Sequence, residues 1–194
     1  MTDTDQTAKN GLTHFVLDAK ASRFTVQAFA AGILSAMGHN PTIGISKFSG
    51  DVDFSPQKAA ASGLRLVIES SSLSVSDDIS AKDRREIERL MKSDVLEVDR
   101  YPEVAYEAHS ILCSAVGGTL YSATLNGMLK FHGVTQQQQI TARITAMGET
   151  LRASGGFTLK QSDYQIKPVS VAGGALKLKD ELKFSFEIVA REQN

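Results

Sequence analysis

A regular alternation of apolar and polar residues recurs along this chain and limits its fold more than any other feature. It is clearest near the C-terminal end, where Lys183 and Ser185 separate Leu182, Phe184 and Phe186. Successive side chains of a β-strand point to opposite faces of a sheet, so this pattern predicts strands with one buried and one wet face. The pattern recurs at 23–28, 64–69, 103–109 and 140–145, and further strands are predicted at 13–18, 42–54 and 154–161.

Many alternating strands without long helices between them predict an antiparallel sheet that meanders. Closing such a sheet into a barrel removes its exposed edges. We therefore expect a mainly β fold, an antiparallel barrel of about eight strands whose interior is either packed or holds one small ligand. The chain has 194 residues, 42% of them hydrophobic, which suffices for one barrel domain over 12–191 behind a disordered polar tail over 1–11.

Two segments break the alternation. Residues 80–98 predict an amphipathic helix, with Ser80 in a capping position and Arg84 and Glu88 spaced for an ion pair. We expect this helix to close one end of the barrel or to flank its wall. Residues 30–41 are small and apolar, and they predict a short helical lid. The apolar positions of the first segment recur at helical spacing: Ile87, Leu90, Met91, Val95 and Val98.

The charge balance and the single cysteine narrow the class of protein. Lys and Arg number 21 and Asp and Glu number 22, so no broad basic surface is available for nucleic acid. Cys113 is the only cysteine and cannot form an intrachain disulfide, which fits a reducing compartment. The N-terminal residues lack the pattern of a signal peptide, and no apolar run reaches the roughly 20 residues of a spanning helix. We expect a cytoplasmic protein without stable membrane insertion.

The four histidines do not predict a metal site, and no motif predicts catalysis. His14, His39, His109 and His132 are at least 23 residues apart, whereas metal ligands usually include a close pair. The parity of the strand before it places His132 on the wet face, and His39 lies in a predicted turn. A nucleophile elbow and a phosphate-binding loop are both absent from the sequence. We therefore predict no catalytic residues and no metal.

Two separated motifs follow the predicted helix. The first is Arg100-Tyr101-Pro102, in which Pro102 forces Tyr101 out of helical conformation and starts a strand at Val104. The second is "KFHGVT" at 130–135, which precedes an alternating strand. With these motifs in this order, the sequence resembles the YceI-like family of polyisoprenoid-binding, lipocalin-like proteins. The resemblance extends over about 12–191, because stretches similar to the family's first hairpin and last two strands flank the motifs.

This resemblance implies an elongated hydrophobic cavity for an apolar isoprenoid lipid, of the polyprenyl or lipid-quinone type. The function it implies is binding, transport or storage of that lipid, with no cofactor beyond the bound lipid or quinone itself. Strand parity and the expected lid give the candidate ligand-binding residues: Phe24, Val26, Leu34, Leu66, Ile68, Val104, Tyr106, Leu129, Phe131, Ile144, Phe157, Phe184 and Phe186.

Other interpretations of the same residues stay open. Strand parity by itself favours an ordinary packed core, because inward apolar side chains are needed in either case. A small enzyme acting on a lipid-like substrate is one alternative function. A homo-oligomeric interaction module with a packed core is another, and a homodimer is compatible with both.

Overall fold

The computed structural model describes residues 11–31, 40–171 and 176–193. In these ranges the chain forms twelve strands and one α-helix. The elements are β1 (Thr13–Leu17), β2 (Arg23–Ala31), β3 (Thr42–Ile45), β4 (Phe48–Ser55), β5 (Ala60–Glu69), β6 (Leu73–Val75), α1 (Ala81–Leu90), β7 (Glu103–Gly117), β8 (Leu120–Phe131), β9 (Val134–Met147), β10 (Thr150–Lys160), β11 (Ser170–Val171) and β12 (Leu176–Glu192).

Eight of these strands close into an antiparallel barrel. The order around the ring is β1, β4, β5, β7, β8, β9, β10 and β12, and pairing of β1 with β12 closes it. The predicted barrel of about eight strands is confirmed. The higher strand count has two causes. Three strands of the barrel are interrupted, so that β2 continues β1 along β12, and β3 and β6 continue β4 and β5 in the same way. The two-residue strand β11 also pairs with β12 outside the ring.

The predicted helix forms, but its end differs from the prediction. α1 begins behind Ser80, whose hydroxyl oxygen accepts from the Asp83 amide at 3.1 Å. At Met91 it changes into a π-helical turn that ends at Val95, before residue 98. Ile87 and Met91 turn inward and are half-buried. None of the helical residues of α1 is fully buried, so the helix lies on the barrel as a cover with one wet face.

The barrel interior is divided into a filled end and a hollow part. The filled end is a compact cluster of six buried residues: Phe15, Phe54, Tyr121, Ala146, Leu151 and Ala190. A larger cluster, which includes Phe24, Leu129 and Phe184, surrounds the remaining interior. Its side chains come from the inward positions of the strands, as the period of two predicts.

Three sequence predictions fall wholly or partly outside the described residues. The polar tail lies there except for Gly11. Of the expected lid, residues 32–39 lie there too, and with them Leu34 and His39. Within the described part of the expected lid, Ala30 and Ala31 end strand β2, and Pro41 is buried.

Candidate ligand-binding cavity

A cavity of about 500 Å³ occupies the hollow part of the barrel. This volume lies in the range of small-molecule binding sites, roughly 300 to 1,000 Å³. Every strand of the closed ring contributes to its wall, and Ile87, Met91 and Val95 close it on the helical side. Apart from Gln161 and Lys177, the wall is aliphatic and aromatic, so the cavity favours an apolar guest.

All twelve described candidate residues lie on the wall of this cavity. Phe157 and Phe184 stack with ring centroids 4.6 Å apart and planes at 7°, and Phe24 contacts Phe184 and Phe186 edge to face at 6.3 and 6.1 Å. That these residues contact a ligand stays a prediction. The twelve are Phe24, Val26, Leu66, Ile68, Val104, Tyr106, Leu129, Phe131, Ile144, Phe157, Phe184 and Phe186.

Sequence reasoning missed other parts of the wall. Ile43 and Ile45 of β3 line the cavity, but the apolar positions of the predicted strand at 42–54 change from odd to even numbers after Ile45, so that stretch shows no single period. Ile140 belongs to a strand whose parity was recognised, and that signal could have found it. The helical stripe containing Met91 was also recognised, yet it was assigned to end closure rather than to the ligand site.

Only three described side chains on the wall carry a polar group. The Tyr106 hydroxyl lies 3.1 Å from Gln138 O and 3.3 Å from Leu125 O, and burial raises the pKa of this tyrosine to about 12. The amide nitrogen of Gln161 donates to Lys179 O at 2.9 Å. Lys177 is exposed. Because Tyr106 and Gln161 satisfy backbone carbonyl groups, they leave the interior of the cavity apolar.

The prediction that His132 lies on the wet face is wrong. His132 and Gly133 form the two-residue turn between β8 and β9, both with positive φ, so strand parity does not extend to His132. The side chain is 9% exposed and packs on Tyr101 with ring centroids 4.3 Å apart. Its Nδ1 lies 3.2 Å from Tyr164 O and its Nε2 lies 3.1 Å from Glu97 Oε2. Both partners are hydrogen-bond acceptors, so the ring is held between Glu97 and Tyr164 and does not face solvent.

The other titratable groups of the described ranges do not assemble into a metal or nucleophile site. No cluster of three or more His, Cys, Asp or Glu side chains occurs there. His14 pairs with Asp53 at 2.9 Å, away from the cavity wall. Burial raises the pKa of the Cys113 thiol, which disfavours the reactive thiolate. Across the same ranges, no helix is long and apolar enough to cross a membrane.

A closed antiparallel barrel around an apolar cavity defines a lipocalin-like architecture. Within that class, the sequence pattern of the YceI-like domain matches residues 15–190, and the chain belongs to that family. The family prediction is therefore confirmed. Among curated proteins, no sequence matches the chain.

Solved structures show the same fold at low sequence identity. BcnA of Burkholderia cenocepacia has a TM-score of 0.68 at 19% identity, over 89% of this chain and 98% of that one. A polyisoprenoid binding domain from Saccharophagus degradans has a TM-score of 0.64 at 15% identity, over 94% and 99% of the two chains. The YceI protein of Campylobacter jejuni has a TM-score of 0.61 at 16% identity, over 81% and 88%.

Proposed function

We propose that this protein binds an isoprenoid lipid, either a polyprenyl chain or the tail of a lipid quinone, in the barrel cavity and thereby carries or stores it. The observation that carries the proposal is the chemistry of the wall. A cavity of about 500 Å³ is lined by aliphatic and aromatic side chains, and the polar groups of Tyr106 and Gln161 are bonded to the backbone. The Saccharophagus degradans structure, which has the same fold, is a polyisoprenoid binding domain.

The energetics of such a wall are sufficient for binding without polar contacts. Burying a methylene-sized group contributes about 0.8 kcal/mol. A chain of three isoprene units therefore gains on the order of 12 kcal/mol before association costs, which are of the order of 4 to 15 kcal/mol. Micromolar affinity requires about 8 kcal/mol net, so it is reached when the association costs lie at the low end of that range.

The wall also supports a binding function over a catalytic one. Among the described residues that line the cavity, none carries a carboxylate, imidazole, thiol or aliphatic hydroxyl group, and the one amine, that of Lys177, belongs to an exposed residue. General acid or base catalysis and nucleophilic catalysis draw mainly on those groups, within hydrogen-bond reach of the substrate. We therefore propose a carrier in which the residues of the wall enclose the ligand and leave it chemically unchanged.

The proposal is tested by asking what the purified protein holds. Native mass spectrometry and solvent extraction of protein from its own host are expected to show an apolar lipid. Prenyl alcohols and quinone analogues are expected to displace a fluorescent apolar probe, against low background because the chain contains no tryptophan. A folded protein that yields no lipid and keeps its probe would contradict the proposal.

A matched pair of variants ties binding to the cavity. Ala142 is buried on the wall, and its neighbour Thr141 is exposed on the outer face of the same strand. Ala142→Phe fills the cavity and is expected to weaken prenyl alcohol binding at least tenfold. Thr141→Phe adds the same ring outside and is expected to bind as the wild type does. If both variants bind prenyl alcohol with the same affinity, the ligand binds outside this cavity.

A further inference from the structure

The outer face of helix α1 is basic. An α-helix turns about 100° per residue, so positions spaced three, four and three residues apart fall on one face. Four cations have this spacing, and their positions lie within about 80° around the helix axis and extend about 15 Å along it. We call this set the basic stripe, and its members are Lys82, Arg85, Arg89 and Lys92.

The basic stripe faces away from the barrel. Ile87 and Met91, which line the cavity, lie on the opposite side of the helix. The first three members of the stripe are exposed, and the last, Lys92, is half-buried. Among the described residues, the large apolar side chains that are exposed lie on β7, β8 and β9 and not on this helix. The stripe therefore offers charge to a partner and has no apolar anchor.

Only part of this charge is neutralised within the protein. Glu88 accepts from a backbone amide of β6, and Asp83 accepts from the hydroxyl of the N-cap serine at 2.7 Å, so both carboxylates have partners outside the stripe. Glu86 pairs with Arg89 at 2.9 Å, and Asp94 adds negative charge near the same guanidinium group. In the described part of the chain, the other three cations of the stripe have no hydrogen bond and no ion pair. Four cations against these two nearby carboxylates leave a net charge of +2.

The basic stripe lies on the element that covers the cavity. Ile87, Met91 and Val95 close the cavity on the helical side. A helix with its side chains is about 10 to 12 Å across, so a surface in contact with the stripe is separated from the cavity by the thickness of one helix. A partner held here therefore lies next to the proposed lipid site and not at a remote face of the barrel.

A flat surface of fixed negative charge matches the basic stripe, because the cations lie along one line on one face and meet such a surface together. A nucleic acid fits less well, since surfaces that bind it are broad and strongly basic, whereas this chain has 21 basic and 22 acidic residues in all. An anionic phospholipid bilayer is such a flat surface, and each Lys or Arg near it strengthens binding about fivefold, which is about 1 kcal/mol. It is also the phase into which an isoprenoid chain partitions.

We propose that the basic stripe docks this protein on anionic phospholipid membranes, with the cover of the cavity against the lipid headgroups. The inference rests on the proposed isoprenoid-binding function for its purpose, and it adds the surface from which the ligand is taken up or to which it is returned. A net charge of +2 gives a roughly 25-fold preference for anionic over neutral membranes. The contact is therefore electrostatic and reversible, as a carrier requires.

Vesicle sedimentation tests the docking on the whole protein. The wild type is expected to bind vesicles of phosphatidylcholine and phosphatidylglycerol roughly 25-fold more strongly than pure phosphatidylcholine vesicles at about 0.1 M salt. The preference is expected to vanish at about 1 M salt, because the screening length falls from about 10 Å to about 3 Å. A wild type without preference for the anionic vesicles, or a preference that survives the high salt, would overturn the proposal.

Two matched triple variants place the contact on the helix. The stripe variant replaces the three cations without a partner in the described ranges by glutamine, a good helix former: Lys82→Gln, Arg85→Gln and Lys92→Gln. Its preference for anionic vesicles is expected to be lost, while its urea midpoint and its binding of prenyl alcohols stay those of the wild type. The control variant makes the same change of net charge on the outer faces of β9, β10 and β12 and is expected to keep the preference. Its substitutions are at exposed residues: Arg143→Gln, Arg152→Gln and Lys183→Gln.

The outcomes separate the docking from the proposed function. If both triple variants lose the preference equally, net charge and not the stripe attracts the membrane, and the proposal is wrong. If a DNA duplex at the same phosphate concentration binds the wild type as strongly as the vesicles do, the stripe is a general polyanion surface and the assignment to membranes is wrong. Displacement of the fluorescent probe without vesicles reports isoprenoid binding alone. Stripe-dependent vesicle binding without any displacement by prenyl alcohols would leave the docking in place and contradict the proposed function.

Discussion

The Tyr106 hydroxyl makes its hydrogen bonds within the barrel wall and leaves no polar group free for a ligand in the cavity. It reaches Gln138 O at 3.1 Å and Leu125 O at 3.3 Å, on the two strands that follow β7 in the ring. The residue is 3% exposed, and burial raises its pKa to about 12. In the unfolded chain a tyrosine has a pKa of about 10, so the two states hold this proton differently above that pH.

Replacing Tyr106 by Phe is expected to give a stability difference that changes sign with pH. Below pH 10 the variant loses one hydrogen bond and about 1 kcal/mol. As the pH rises toward 12, the unfolded wild type releases the proton that the folded form retains, which lowers its free energy of unfolding by roughly 2 kcal/mol by pH 11.5. The variant lacks this loss. Urea unfolding of the wild type and the variant from pH 8 to 11.5 measures this change. A difference in the free energy of unfolding that stays constant over this range would contradict the raised pKa of Tyr106.

The ring of Tyr106 leaves no space for a side chain at position 127, which is a glycine. A Cβ atom there would lie 2.6 Å from Tyr106 Cζ and 2.4 Å from Glu107 O. The ring crosses over Gly127 to reach Gln138, which pairs with Gly127 on the neighbouring strand. The pairing of β8 with β9 is continuous through it, and the irregularity lies opposite, at His109 of β7.

We expect Gly127→Ala to destabilise the fold by about 2 kcal/mol or more, because the backbone contact cannot relax by a rotamer change. Gly44→Ala is the matched control. That strand glycine has its nearest atoms at 3.8 and 3.9 Å, ordinary contact distances, and the substitution is expected to change stability by less than about 0.5 kcal/mol. Chemical denaturation of both variants decides the point. Equal losses of stability in the two variants would show that Gly127 is needed for chain flexibility and not for lack of space around it.

At the scale of elements, α1 completes the barrel wall where strand pairing stops. β6 pairs with β3 on one side, and α1 packs on it. Glu88 Oε1 accepts from the Val75 amide at 2.9 Å, while the Arg84 guanidinium donates to Val75 O and to Asp77 O. The sequence predicted an ion pair between Arg84 and Glu88. Both side chains instead form hydrogen bonds with backbone groups at the unpaired edge of β6. These bonds hold the apolar face of the helix over the cavity.

We expect Glu88→Ala to cost about 1 to 3 kcal/mol, because the Val75 amide is buried and loses its acceptor. Glu88→Gln keeps an acceptor oxygen and is expected to recover much of that loss. Glu86→Ala, which breaks only the exposed pair with Arg89, is expected to cost less than about 1 kcal/mol. Hydrogen exchange at the Val75 amide reports the effect locally. Unchanged protection in Glu88→Ala would show that the helix is held by apolar packing alone.

The sequence predicted the strands because their period is local, but it did not predict every interruption between them. Phe184 and Phe186 face inward as their parity requires. The predicted strand at 42–54 divides at Ser46 and Lys47 into β3 and β4, where the Ser46 hydroxyl donates to Ser72 O at 3.0 Å. That partner is distant in sequence, so no local pattern shows this contact. His132 was misplaced for a related reason, because the turn ended the strand one residue earlier.

The parity of the strands could not predict that the barrel encloses a cavity. Inward residues such as Leu129 and Ile144 are apolar whether the opposite walls meet or stand apart. The separation of the walls follows from strand number and stagger around the closed ring, which are properties of the whole barrel. The family resemblance supplied the expectation of a cavity. The filled end at Phe54 and Tyr121 was not predicted.

At the scale of the whole molecule, the barrel is closed at the seam between its first and last strands. β1 pairs with only three residues of β12 before the chain leaves the ladder at Asp18. The Asp18 amide donates to Val189 O at 2.8 Å, and its carboxylate accepts from the Arg191 guanidinium at 2.9 Å. The same carboxylate caps the turn at Ala19–Ala21 through two amides at 3.1 Å. Asp18 therefore joins the two ends of the sequence and closes the ring.

The charge of Asp18 is expected to make this closure sensitive to acid. The hydrogen bond from Arg191, together with the turn amides, holds the pKa of Asp18 below its ordinary value of 3.8. A carboxyl whose pKa is lower in the folded state stabilises the fold fully above the unfolded value, and that contribution is lost as the pH falls through the folded value. Asp18→Asn retains an oxygen for the turn amides, but it removes the charge and replaces the oxygen that accepts from Arg191 by an NH2 group, which cannot accept. We expect it to lower the urea midpoint at pH 7 and to match the wild type near pH 2, with hydrogen exchange at the β1 amides faster at pH 7. A difference that persists unchanged at pH 2 would show that the geometry of the turn, and not the pair with Arg191, closes the seam.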